Sequence, residues 1–215
     1  MKKLMIVAAL AAVSIVPSVV QAEETLEIVQ TAKDDWEWSP FGISLAAPVQ
    51  APWTTTSIYG LRLTGFYGMN DNVYGVSLGL ANATSGDLRG LEIGGVNASF
   101  DTAVGCQLAV LNYANAFTGF QSGFLNWVNT ETCGVQLGLL NCDQGPCTGF
   151  DLGFINFATT FNGLQLGVFN FAYEADGLQL GVINACDYMH GVQIGLINLI
   201  CESQLPIMVI ANASF

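Results

Sequence analysis

The side chains that could carry chemistry are six cysteines, one histidine and seventeen acidic residues in a chain of 215. Nucleophilic catalysis or zinc binding through the single histidine, His190, would need partners that the sequence does not supply, so it reads as an ordinary turn residue beside a repeat glycine. The acidic residues are scattered, without the close pairing that general acid and base work requires. Asp143, beside Gly145-Pro146, reads as a turn residue, and liganding oxygens do not recur at the spacing of a calcium loop. Glycines recur with strand parity and not as a strand-to-helix phosphate loop. No catalytic, cofactor or metal site is therefore expected, and the chain reads as non-enzymatic.

The cysteines gain meaning from the N-terminus. Lys2 and Lys3, the apolar run Leu4 to Val16, Pro17 and the small-residue site Val20-Gln21-Ala22 before Glu23 form a secretory leader, which places cleavage after residue 22. In an exported chain, cysteines are candidates for disulfides: Cys133 with Cys147 and Cys186 with Cys201 by repeat spacing, or Cys142 with Cys147 across one turn. No cysteine follows the apolar run to take a lipid anchor, and no later stretch is long enough for a membrane helix, so any membrane attachment must come from the folded body.

Without the leader, Lys33, Arg62 and Arg89 face all seventeen acidic residues, which excludes nucleic acid as a partner because nothing would neutralise its phosphates. Only 10% of residues are charged while 52% are hydrophobic, and mean hydropathy is +0.48, an odd pairing for a water-soluble domain.

A repeat explains the pairing. The pattern glycine, apolar, polar, apolar, small, apolar, apolar, asparagine begins at Gly60, Gly75, Gly90, Gly105, Gly119, Gly134, Gly149, Gly163, Gly177 and Gly191. Successive starts lie 14 or 15 residues apart, and alternation with period two predicts a strand in each unit. The third position is never apolar: Arg62, Ser77, Glu92, Gln107, Gln121, Gln136, Asp151, Gln165, Gln179 and Gln193. Residues 41–47 and 205–215 add a strand at each end, and the acidic segment 23–40 is a lead-in to the repeat domain, 41–215.

Two architectures can bury one apolar face per strand. The first is an all-β, antiparallel outer-membrane barrel of about twelve strands, with apolar side chains against lipid. Its lumen would be lined by Arg62, Glu92, Gln107, Gln121, Gln136, Asp151, Gln165, Gln179 and Gln193. Aromatic residues at the ninth position, among them Tyr113, Trp127, Phe157 and Phe171, suit a membrane-boundary girdle, and the lipid and barrel-assembly machinery of the outer membrane would be the partners. The second is a parallel β-solenoid with one unit per coil, its apolar face pointing into a narrow core and its asparagines stacked. Uniform connections and the parity of the eighth-position asparagine favour the solenoid; scarce charge and the terminal Phe215 favour the barrel, which is the leading expectation.

The units at 163–170, 177–184 and 191–198 resemble the tandem repeats of a bacterial surface-repeat family first named from leptospiral surface proteins. The opening Ile43-Ser44-Leu45 to Pro52 and the closing Leu205-Pro206-Ile207 to Phe215 are similar to that family's ends. The resemblance implies an outer-membrane or cell-surface location, no known enzymatic activity and no identified ligand.

Overall fold

The computed structural model describes residues 37–47 and 49–215, so the leader and most of the lead-in lie outside the described residues. Ten strands form one sheet: β1 (Trp38–Ala46), β2 (Val49–Ala51), β3 (Ser57–Asn70), β4 (Val73–Gly79), β5 (Ala81–Thr84), β6 (Leu88–Ile93), β7 (Val96–Leu108), β8 (Leu111–Leu180), β9 (Ile183–Ile200) and β10 (Ile207–Ser214). A strand of 70 residues, as β8 is, must wind rather than run straight, since extended chain rises about 3.3 Å per residue.

The register shows the winding. Gly60 pairs with Gly75, Gly75 with Gly90, Gly90 with Gly105 and Gly105 with Gly119, all in parallel, and Gly177 pairs with Gly191 in the same way. Each unit thus lies on the next unit of the sequence, and the chain is a β-solenoid of about ten turns. This overturns the antiparallel barrel: hairpins would reverse alternate units, whereas every unit here closes one coil and passes in the same direction to the next.

Sidedness inside the coil differs from the simple parity reading. Four positions point inward: the third, the eighth, the tenth and the residue two before each repeat glycine. The last column comprises Ile58, Val73, Leu88, Ala103, Phe117, Thr132, Cys147, Phe161, Ala175 and Met189, all buried. The tenth-position column contains Thr84, Ser99, Ala114, Val128, Asp143, Ala158, Ala172, Cys186 and Ile200, with Asn70 paired to Thr84 in the first coil, all buried. Two apolar clusters are drawn from these columns, one from Ile58 to Val128 and one from Cys147 to Ile200. The apolar second, fourth, sixth and seventh positions face outward, which reverses the expected solenoid core.

A corner between the sixth and seventh positions causes this. Both amide groups there donate to one carbonyl of the coil below, as Val110 and Leu111 do to Gly95, and Phe124 and Leu125 do to Val110. Two successive side chains then point out, and the eighth residue turns in. A second corner lies at the first position, where all ten repeat glycines have φ between 134° and 151°. L-residues avoid this region, and a Cβ on Gly90 would overlap the carbonyl oxygen of Gly75.

Both ends of the stack change direction. β2 pairs antiparallel with β1, and β10 pairs antiparallel with β9, with an irregularity between Met208 and Ile210. The two predicted end strands are therefore present, as terminal layers of the solenoid.

Candidate functional site

The interior is held by polar ladders. The eighth-position asparagines from Asn82 to Asn198 are buried, and each Nδ2 from Asn82 to Asn184 donates to the Oδ1 of the asparagine in the next coil at 2.8–3.2 Å. The same Nδ2 also donates to a carbonyl of that coil, as Asn141 does to Leu152 at 3.1 Å. Glycine at the fifth position leaves room for this: a Cβ on Gly138 would stand 2.7 Å from Asn141 Oδ1 and 2.8 Å from Asn126 Nδ2.

The residues predicted to line a lumen form a second ladder, sealed from solvent: Arg62, Glu92, Gln107, Gln121, Gln136, Asp151, Gln165, Gln179 and Gln193 are each at most 1% exposed. Glutamine amides donate to the preceding coil, Gln121 to Gln107 at 2.9 Å, Gln179 to Gln165 at 2.8 Å and Gln193 to Gln179 at 2.8 Å. A polar side chain can occupy a dry interior when a neighbour satisfies it, and the coil repeat provides that neighbour.

At the N-terminal end the column becomes an ion pair. Arg62 spans two coils, with its NH2 nitrogen 2.9 Å from Glu92 Oε1, Nε donating to Ser77 Oγ and NH1 to the Ala83 carbonyl. Burial pushes the Glu92 carboxyl from 4.5 up to about 7, opposed by the Arg62 charge and the hydrogen bonds from Gln107 and Arg62. The folded protein then holds a proton in a window where the unfolded chain has lost it. Stability from this group is highest below the ordinary carboxyl range and is lost as pH climbs through about 7. Urea denaturation between pH 5 and pH 8 should show this decline, and the Arg62→Gln, Glu92→Gln double variant, which restores glutamine to both positions, should lose the Glu92 share. An unchanged slope in the double variant would refute the assignment.

Midway along the stack the ladder is interrupted. Asp143 and Asp151 are each 1% exposed and face Cys147, and one ligand-type atom from each of the three lies within 4.8 Å of the others. The reading of Asp143 as a turn residue fails, because its tenth position points inward. Burial pushes Asp143 up to about 6 and Asp151 well above the ordinary carboxyl range. Thr132 Oγ1 and Gln136 Nε2, the latter at 3.0 Å, both donate to Asp143 Oδ1.

The six cysteines are free thiols. Cys133 is exposed while Cys147 is buried, because 14 residues fall one short of that 15-residue coil and place the two on opposite faces. Cys142 is buried at a ninth position. Cys186 is buried in the tenth-position column, whereas the side chain of Cys201 is part-exposed, although the Cys201 amide donates to the Cys186 carbonyl at 3.0 Å.

Outside, the coil has two unlike sides. The outward positions two, four, six and seven hold no ionisable side chain in any coil, apart from the Cys106 thiol. Leu80, Val110, Phe124, Leu139, Phe154 and Leu196 are among their exposed members. β1 continues this face with Phe41 and Ile43, in register with Leu61 and Leu63. Ten coils spaced about 4.8 Å apart, each contributing seven residues at about 3.3 Å, make a plane of about 1,000 Å², beyond the largest apolar patch of an ordinary monomer, about 300–600 Å². The charges lie in the segments closing each coil: Asp71, Asp87, Asp101, Glu131, Glu174, Asp176, Asp187 and Glu202, with Arg89 the single cation there. Sequence parity found the apolar face, and the coil turns it outward, away from the core. No protein-family profile, curated protein or solved structure matches the chain.

Proposed function

We propose that this chain is an exported, non-enzymatic β-solenoid scaffold of the bacterial envelope, which seats its apolar face in the surface of a lipid membrane and presents its acidic side outward. The observation that carries the proposal is the ten-coil apolar plane without an ionic group, opposite the side that bears the acids. An element lying in a membrane interface needs that division: one apolar face and a polar remainder. The secretory leader and the likeness to a surface-repeat family support the same location.

Purified protein should float with zwitterionic phosphatidylcholine vesicles. Salt should not weaken the association, since no cation on the face contributes an electrostatic share. The Leu139→Lys, Phe154→Lys double variant, at two exposed positions on neighbouring coils, should bind vesicles about tenfold or more weakly, because lysine is costly in the apolar layer, with its β circular dichroism retained. A dimer in solution abolished by the same pair would make the face a contact between copies instead. Failure of the unaltered protein to bind vesicles or to dimerise would overturn the role of the face.

A further inference from the structure

The third-position column is directional: Gln107, Gln121, Gln179 and Gln193 each donate an amide to the oxygen of the preceding coil, whereas Gln136 donates to Asp143 instead. Asp151 has no amide to donate. Gln136 Oε1, the acceptor one coil below it in this column, is buried and without a hydrogen-bond partner, as is Asp143 Oδ2. Gln136 is itself fully buried, and its amide nitrogen is bonded to Asp143, so the carboxamide lies against the acidic pair. Here acceptors and one thiol converge with no cation to balance them. The only buried cation among the described residues is Arg62, which is committed to Glu92 at the far end of the column.

We infer that Asp143, Cys147 and Asp151 form an interior site for a divalent cation of the zinc class, clamping the coil that begins at Gly134 to the coil that begins at Gly149. The spacing suits the ion: Cys147 Sγ lies 3.7 Å from both carboxylate oxygens of Asp151, and a tetrahedral zinc with ordinary bonds to sulfur and oxygen separates those ligands by about 3.6 Å. Mixed thiolate and carboxylate donors suit zinc better than calcium or magnesium, which take oxygen alone. Thr132 and Gln136 hold Asp143 by Oδ1, leaving Oδ2 as the ligand atom, and Gln136 Oε1 is the nearest candidate for a fourth donor. Binding would release the Cys147 proton to solvent. Because the site is closed, the ion enters as the coils form.

The test is refolding of the full chain from denaturant, with zinc or with a chelator, followed by gel filtration, metal analysis and thermal melting. Protein refolded with zinc should retain about one equivalent per chain and melt higher than protein refolded with chelator. Asp151→Gln restores the column's usual residue, and Cys147→Ala places in its column a residue already found there at Ala103 and Ala175. Both variants should fold, yet hold less than about a tenth of that metal and melt identically with and without zinc. Refolding with cobalt should give a thiolate-to-metal charge-transfer band that Cys147→Ala lacks. Equal metal content in the unaltered protein and in Asp151→Gln, or a cobalt spectrum without the thiolate band, would overturn the site. Neither result depends on whether the outer face binds vesicles.

Discussion

Replacing Asn141 with leucine should cost about 3–5 kcal/mol, among the largest losses available to a single side chain in this fold. Its Oδ1 accepts from Asn126 at 2.8 Å, and its Nδ2 donates to Asn156 at 2.8 Å and to the Leu152 carbonyl at 3.1 Å. Leucine keeps the volume but strands Asn156 Oδ1 as a buried acceptor, worth about 1–3 kcal/mol when unsatisfied, leaves Asn126 Nδ2 without its Oδ1 partner and removes a donor from the Leu152 carbonyl. A typical domain has only about 5–15 kcal/mol to lose. Asn198, in the last coil, has no following asparagine to leave unpaired; its Nδ2 donates to the Gly195 carbonyl at 2.9 Å and to the Met208 carbonyl at 3.4 Å, so Asn198→Leu should cost about half as much. Urea denaturation of both variants checks the ordering, and a loss within about 1 kcal/mol for Asn141→Leu would show that the ladder contributes little to stability.

Substituting valine at Gly149 should be comparably severe, about 3–5 kcal/mol, for a reason unrelated to hydrogen bonding. Gly149 has φ of 141°, and any Cβ there would overlap the carbonyl oxygen of Gly134, which is backbone and cannot rotate away. The fifth-position glycines provide the contrast. A Cβ at Gly138 meets side-chain amides 2.7–2.8 Å away, which can shift, and Ala109 already occupies that position in another coil. Gly138→Ala should therefore cost about 1–2 kcal/mol. Equal losses at the two positions would mean that crowding alone, and not the φ requirement, selects glycine at the corner.

Much of this fold is legible in the sequence. The glycine spacing, the alternation within each unit and the strands at 41–47 and 205–215 all follow from local pattern. The barrel reading turned the apolar residues outward and the solenoid reading turned them inward, and parity alone did not decide between them. Parity treats the eight residues from Gly75 to Asn82 as one straight strand, yet the corner at Leu80 and Ala81 puts two successive side chains outward and turns Asn82 in. Glutamine's affinity for water misled in a similar way. Gln107 or Gln179 is costly to bury alone, but a column of identical coils provides each one a partner, and no window of a single repeat contains that partner. Asp143 shows the same limit: its neighbours Gly145 and Pro146 announce a turn, and only closure of the coil brings it beside Asp151, eight residues on.

The reversed strand at the C-terminal end of the stack bears on growth. A column of parallel, in-register strands at the spacing of cross-β fibres is a template that invites further layers, from its own kind or from any extended peptide. β10 runs against that template, and its kink between Met208 and Ile210, where Ile210 adopts φ of 73°, spoils the even spacing of donors and acceptors that a parallel newcomer would need. β10 thus opposes the addition of a parallel strand at this edge, and fibre formation should begin with the detachment of these few residues.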